Sequence, residues 1–144
     1  MTCNEFLSAM QSRGAIITAP TATQQCQITN TVLQQMRCAM LPAFMMELYS
    51  KCNTINMGNG YIFGPAESPR GKRYPIPSII AINQDISAMG RTIGKTIFGR
   101  NDLFWFAFDA FGVCYMLDNL TLTPLRKYDD PFRAMADCLI AGKM

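Results

Sequence analysis

The stretch LFWFAFD, Leu103 to Asp109, is apolar on both of its alternating faces. Leu103, Trp105 and Ala107 fall on one side of an extended chain, and Phe104, Phe106 and Phe108 on the other. A strand with one wet face alternates apolar with polar residues; one apolar on both faces belongs in the middle of a sheet, covered above and below. The flanking sequence supplies partners for it. Strand patterns run over 95–98, 112–117 and 121–126 beside the central 103–109. DAFG, Asp109 to Gly112, suits a type I turn closed by a left-handed glycine, and Asp118-Asn119 makes the next turn, so three strands form a meander.

Helices on either side of this ribbon supply its cover. From Asn4 to Arg13, Phe6, Leu7 and Met10 share one face, and Gly14 stops the run. AIITAPTATQQCQ reads as a strand fragment or loop. Thr29 to Met40 places Leu33, Met36 and Met40 on one helical face. Leu41-Pro42 interrupts it, and Pro42 suits the first turn of a second helix that runs to Lys51 with Met45, Leu48 and Tyr49 inward. NTINMGNG ends that helix. YIF, 61–63, predicts a short strand, and GPAESPRGKRYPIP, rich in Pro, Gly and charge, predicts the longest exposed segment. PSIIAINQDISAM reads as helix from Pro77, although its isoleucines also favour strands. YDDPFRAMADCLIAG opens a last helix: Asp130 as N-cap, Pro131 at the first helical position, Phe132, Met135 and Leu139 as the inner stripe, Gly142 as the stop.

Composition restricts the chemistry. The chain has no histidine, which removes Ser-His-Asp and Cys-His nucleophile activation, H-E-x-x-H metal sites and the commonest general base near neutral pH. Three Glu and seven Asp remain. Only Asp129 and Asp130 are adjacent, and a helix cap with a favourable dipole interaction explains that pair better than a catalytic dyad. No catalytic residue, and hence no enzyme, is expected. Six cysteines, Cys3, Cys26, Cys38, Cys52, Cys114 and Cys138, include no C-x-x-C pair. Cys114 falls in a strand pattern and Cys138 on the apolar face of a helix, so free buried thiols in a reducing compartment are expected, with no metal and no cofactor.

Two other motifs invite chemistry. GRTIGKT, Gly90 to Thr96, resembles a phosphate-binding loop, but only three residues separate its glycines where four are needed, and a strand follows where a helix is required. A turn between helix and strand is the better account. PRGKRY, Pro69 to Tyr74, gathers Arg70, Lys72 and Arg73 beside an aromatic and could grip phosphates or an acidic protein face, although charge runs on loops mostly keep them solvated. Eleven methionines could make an adaptable binding surface, but several of them sit at helical core spacing, and packing is the better account.

At 144 residues the chain has the size of one domain. Thirteen Lys and Arg against ten Asp and Glu give a net charge of +3, too mild for the footprint of a dedicated nucleic-acid binder. No apolar run approaches the roughly 18 residues of a membrane span, and MTCNEFLSAMQSRG carries Glu5 and no basic region of the kind that opens a signal peptide. A cytoplasmic protein that meets neither membrane nor nucleic acid is expected.

Taken together, LPAFMMELYSKCN, the glycine-bearing GNGYIFGP, FGRNDLFWFAFDAFGVCYMLD and the closing DPFRAMADCL resemble the SUKH superfamily, the Smi/Knr-type domain, over residues 28–142; residues 1–27 form an N-terminal helix and lead-in. The most specific parts are Leu41-Pro42 before an aromatic-containing helix, and Phe98-Gly99 before the aromatic strand and glycine turn. Two positions depart from the pattern: Thr54 follows Asn53 where many members have glycine, and the helix before Leu41-Pro42 lacks acidic residues. The resemblance implies a single α+β domain with a mainly antiparallel central sheet packed by helices. Bacterial members are largely immunity proteins that bind and neutralise toxins, often nucleases or deaminases; fungal members are interaction hubs in cell-wall regulation.

The expectation is therefore a non-catalytic domain that binds a cognate toxin, with a scaffold module of the same fold or a small-ligand binder as alternatives. The family's variable surfaces carry no contact residue over to this chain. The 64–74 segment and the sheet-edge turns are the candidate contacts. Arg70, Lys72 and Arg73 would meet an acidic partner, and Asp118 with Asp129 a basic one. A small-ligand binder or histidine-free enzyme would instead use Asp109 or Asp118.

Overall fold

A computed structural model describes residues 1–70, 73–87 and 94–140. Along the chain come α1 (Cys3–Ser12), β1 (Ile16–Ile17), α2 (Thr23–Gln35), α3 (Ala43–Tyr49), β2 (Ile55–Met57), β3 (Gly60–Ile62), β4 (Ser68–Arg70), β5 (Arg73–Ile76), α4 (Ile79–Ser87), β6 (Lys95–Arg100), β7 (Phe104–Asp109), β8 (Cys114–Asp118), β9 (Pro124–Tyr128) and α5 (Pro131–Ile140). Seven strands form an antiparallel sheet in the order β1-β2-β3-β6-β7-β8-β9, and β4 pairs with β5 separately. The result is one α+β domain, as expected, with β7 inside the sheet between β6 and β8.

Register partners share a face, which sorts the side chains. Ile55, Ile62, Gly99, Phe106 and Met116 stand in one row, with Phe108, Cys114 and Tyr128 in the next. This face takes the helices, for α5 packs across β2, β3 and β6 to β9, and α1 packs on α3 and α5. The helix comes close because Gly99 lacks a side chain: a Cβ there would stand 2.8 Å from the Tyr61 carbonyl and 3.0 Å from Cys138 Sγ. Aromatic rings tie the layer together. Phe98 stacks on Phe108 at 5.9 Å, Phe44 of α3 meets Phe108 edge-on at 6.2 Å and Phe132 of α5 at 6.4 Å, and Phe6 of α1 lies 5.7 Å from Phe132.

The second face of β7 departs from expectation. Leu103 lies before the strand and is exposed, and Trp105 is only half-buried. Ala107, flanked in register by Ile97 and Tyr115, is fully buried. Ile97 and Leu117, which share this face, are fully buried as well. Two-sided apolarity thus marks an inner strand whose second face is dry along its middle and open at Leu103 and Trp105.

Other differences have local causes. Helix α2 begins at Thr23 and ends at Gln35 rather than spanning 29–40, and Arg37 beyond it adopts a left-handed φ of 61°. Its buried stripe is Cys26, Thr29 and Leu33, too small and polar to announce a helix, and no side chain caps it. Pro42 is the N-cap of α3, one position earlier than expected; Met45, Leu48 and Tyr49 face inward as anticipated. The segment expected as exposed loop holds the β4–β5 hairpin, and Gly64, Pro65 and Ser68 are buried. A polar cluster pins it. Asn53 Nδ2 donates to the Ala66 carbonyl (2.9 Å) and Ser68 Oγ (3.1 Å), Asn53 Oδ1 accepts the Ala66 amide, and Thr54 Oγ1 donates to Ser68 Oγ (3.0 Å).

Helix α4 forms where helix was expected, and Asn83 shows what it does. β3 pairs with β6 only as far as Phe63, whose amide bonds the Phe98 carbonyl. At Ile97 the buried Asn83 side chain replaces the missing strand, donating to the Ile97 carbonyl and accepting its amide, both at 2.8 Å. At α5, Asp130 Oδ1 accepts the Phe132 amide at 3.0 Å, as an N-cap should. The anticipated stop at Gly142 lies outside the described residues. All six cysteines are free thiols, five of them buried and Cys38 half-buried.

Candidate binding surface

The second sheet face is built from rows of register partners. Tyr61, Arg100, Trp105 and Leu117 form one row, and Ile97, Ala107, Tyr115 and Lys127 the next, with Lys95 paired to Asp109 beyond. Arg100 reaches this face because of a bulge between Ile97 and Gly99, which shifts the alternation by one residue. Its guanidinium lies 4.4 Å above the Trp105 ring, and Lys95 Nζ lies 5.5 Å from the Tyr115 ring centre. Lys127 is exposed. Among the described residues, none of Lys95, Arg100 and Lys127 forms an ion pair, whereas Arg126 and Arg133 on the helical side both approach the Asp137 carboxylate, at 3.1 and 4.0 Å.

Carboxylates singled out in the sequence are occupied with backbone. Asp109 Oδ1 accepts the amides of Phe111 (2.9 Å) and Val113 (3.0 Å), and Oδ2 accepts the Tyr115 hydroxyl (3.0 Å). Burial pushes its carboxyl up, but the Val113, Tyr115 and Phe111 hydrogen bonds, helped by Lys95, hold it below the ordinary range. Gly112 at φ 78° closes the turn, as DAFG implied. Asp118 Oδ1 accepts the Thr121 and Leu120 amides, both at 2.8 Å, and these lower its pKa.

Asp118 and Asp129 do not come together. Asp118 sits at the end of β8, opposite Phe104, whereas Asp129 follows Tyr128, which pairs with Cys114 at the other end. Because β9 runs back along β8, the two residues are separated by about 17 Å of strand rise. Arg70 and Arg73 are register partners at the hairpin tip, and Lys72 lies outside the described residues. Gly90 to Ile93 of the near-miss phosphate loop also lie outside them; Lys95 opens a strand, as expected, rather than a helix.

A cleft of about 300 Å³ opens where the hairpin adjoins this face, between Tyr61, Phe63, Tyr74, Ile82, Arg100 and Asp102. A larger cleft of about 760 Å³ shares Asn59 and Asp102 with it and runs along Gly58, Leu103 and Leu139. Neither the cationic row nor the cleft was singled out in the sequence. The alternation of KTIFGR hides Arg100 because the bulge changes its face, and Tyr61 and Tyr74 are separated by a hairpin read as loop. Among the described residues no helix is long and apolar enough to cross a membrane. Comparison of the chain with known families finds no family model that matches, and comparison with curated proteins finds no match.

Proposed function

We propose that this protein is a binding module that acts by occupying a protein partner with an acidic surface, and that it is an immunity protein of the Smi/Knr type neutralising a cognate toxin in the cytoplasm. The observation that carries the reading is the concentration of Lys95, Arg100 and Lys127, free of ion pairs among the described residues, with the half-buried Trp105 and Tyr115 on one sheet face. Trp, Tyr and Arg dominate the energetically important positions of protein interfaces. Cations held outside ion pairs on a sheet attract an acidic partner and orient it. The resemblance over residues 28–142 supports the toxin class.

A stacking platform for single-stranded nucleic acid also combines aromatics with cations. Here Arg100 and Lys95 lie over the Trp105 and Tyr115 rings, where a base would have to stack, which favours protein. The test is survival of cells that express the effector domain of the toxin encoded beside this gene. The wild-type chain should protect, and K95E/R100E/K127E, once shown to be folded, should not. Full protection by the folded triple variant would remove this face from the function.

A further inference from the structure

The smaller cleft presents two opposite charges to one volume. Arg100 and Asp102 both line it, and no ion pair joins them among the described residues. Each is held by something else: Arg100 lies over Trp105, and Asp102 Oδ2 accepts a hydrogen bond from Asn59 Nδ2 at 2.6 Å, leaving Oδ1 for another donor. The Tyr61 and Phe63 rings stack parallel within 2°, centroids 6.4 Å apart, and of the two only Tyr61 keeps accessible surface, Phe63 being 1% exposed. Tyr74 is 91% exposed and stands at the mouth, while Ile76 and Ile82 close the apolar end. At about 300 Å³ the cleft lies at the small end of ligand sites, most of which are apolar with a few fixed polar groups.

We propose that this cleft binds a free amino acid with an aromatic or large aliphatic side chain. The α-carboxylate meets the Arg100 guanidinium, the α-ammonium meets Asp102 Oδ1, and the side chain lies against Tyr61 and Tyr74. A purely anionic ligand leaves Asp102 uncompensated, and a purely cationic one meets Arg100, so the pair selects a zwitterion.

The test is calorimetric titration of the intact protein with L-phenylalanine, phenethylamine and 3-phenylpropionate. Saturable binding of L-phenylalanine is expected between about 10 μM and 1 mM, with each single-charge analogue about tenfold weaker or more. Asp102→Asn should weaken L-phenylalanine about tenfold and leave 3-phenylpropionate no weaker than before. Tyr74→Ala, at an exposed position that leaves the fold intact, should also weaken L-phenylalanine. No saturable heat up to about 10 mM, or analogues that bind as tightly as the amino acid, would overturn the proposal. The result is independent of partner binding, since no toxin is present in the titration.

Discussion

Replacing Asn83 by alanine should remove a strand that the sheet does not have. The Asn83 amide satisfies both main-chain groups of Ile97, a residue with no exposed surface, and also donates to the Ile79 carbonyl one turn back. Alanine leaves the Ile97 amide and carbonyl buried and unpaired. Each such group costs about 1–3 kcal/mol, so the loss is about 2–6 kcal/mol, a large part of the roughly 5–15 kcal/mol that holds a domain together. Asn83→Asp keeps the shape and one acceptor but loses the donor, and should be no better at neutral pH. In urea titrations the midpoint should fall by about 1–3 M with the slope unchanged. Amide exchange read by NMR should show Ile97 losing its protection ahead of its neighbours. A change under about 1 kcal/mol with Ile97 still protected would refute the claim that Asn83 completes β6.

Phe106, fully buried against Phe98 and Tyr128 at 6.5 and 6.4 Å, should lose about 3–5 kcal/mol as alanine, measured by denaturant titration; a loss under about 1 kcal/mol would place the ring at the surface. Gly99→Ala should cost about 1–3 kcal/mol because its Cβ meets the Tyr61 carbonyl and α5. Asp109 has a folded pKa below its ordinary 3.8, so its stabilisation is present above pH 3.8 and disappears as pH falls through the lowered value. Asp109→Asn should therefore flatten the fall of Tm below pH 3.8, and an unchanged acid limb would count against the turn hydrogen bonds. Burial pushes the Cys52 and Cys114 thiols up to about 12, so a thiol reagent should label the half-buried Cys38 first and the other five only on unfolding; rapid modification of Cys52 would contradict the packing.

What could be read from the sequence was what local chemistry decides. The DAFG turn, the Asp130 cap and the inward stripe of α3 each depend on a few adjacent residues, and each stands where expected. The β4–β5 hairpin was hidden because its strands are short and carry prolines, and it is held by Asn53 and Thr54, more than ten residues away. The candidate surface was hidden for a related reason. Lys95, Arg100 and Lys127 come from three stretches of chain, and only the bulge in β6 and the antiparallel register bring them to one face. The acidic pair fails by the same geometry, since a returning strand carries Asp129 away from Asp118.

The proposed occupation of a toxin is decided by calorimetric titration of this protein into the purified effector domain of a cognate toxin. Occupation of the partner by the cationic face predicts a stoichiometric complex, with a Kd in about the nanomolar range at moderate salt, weakening as salt rises. It also predicts that K95E/R100E/K127E loses about a hundredfold or more in affinity while still unfolding in a single cooperative transition. Protection of cells without any measurable complex, or a complex that the folded triple variant forms as tightly as the wild type, would contradict it.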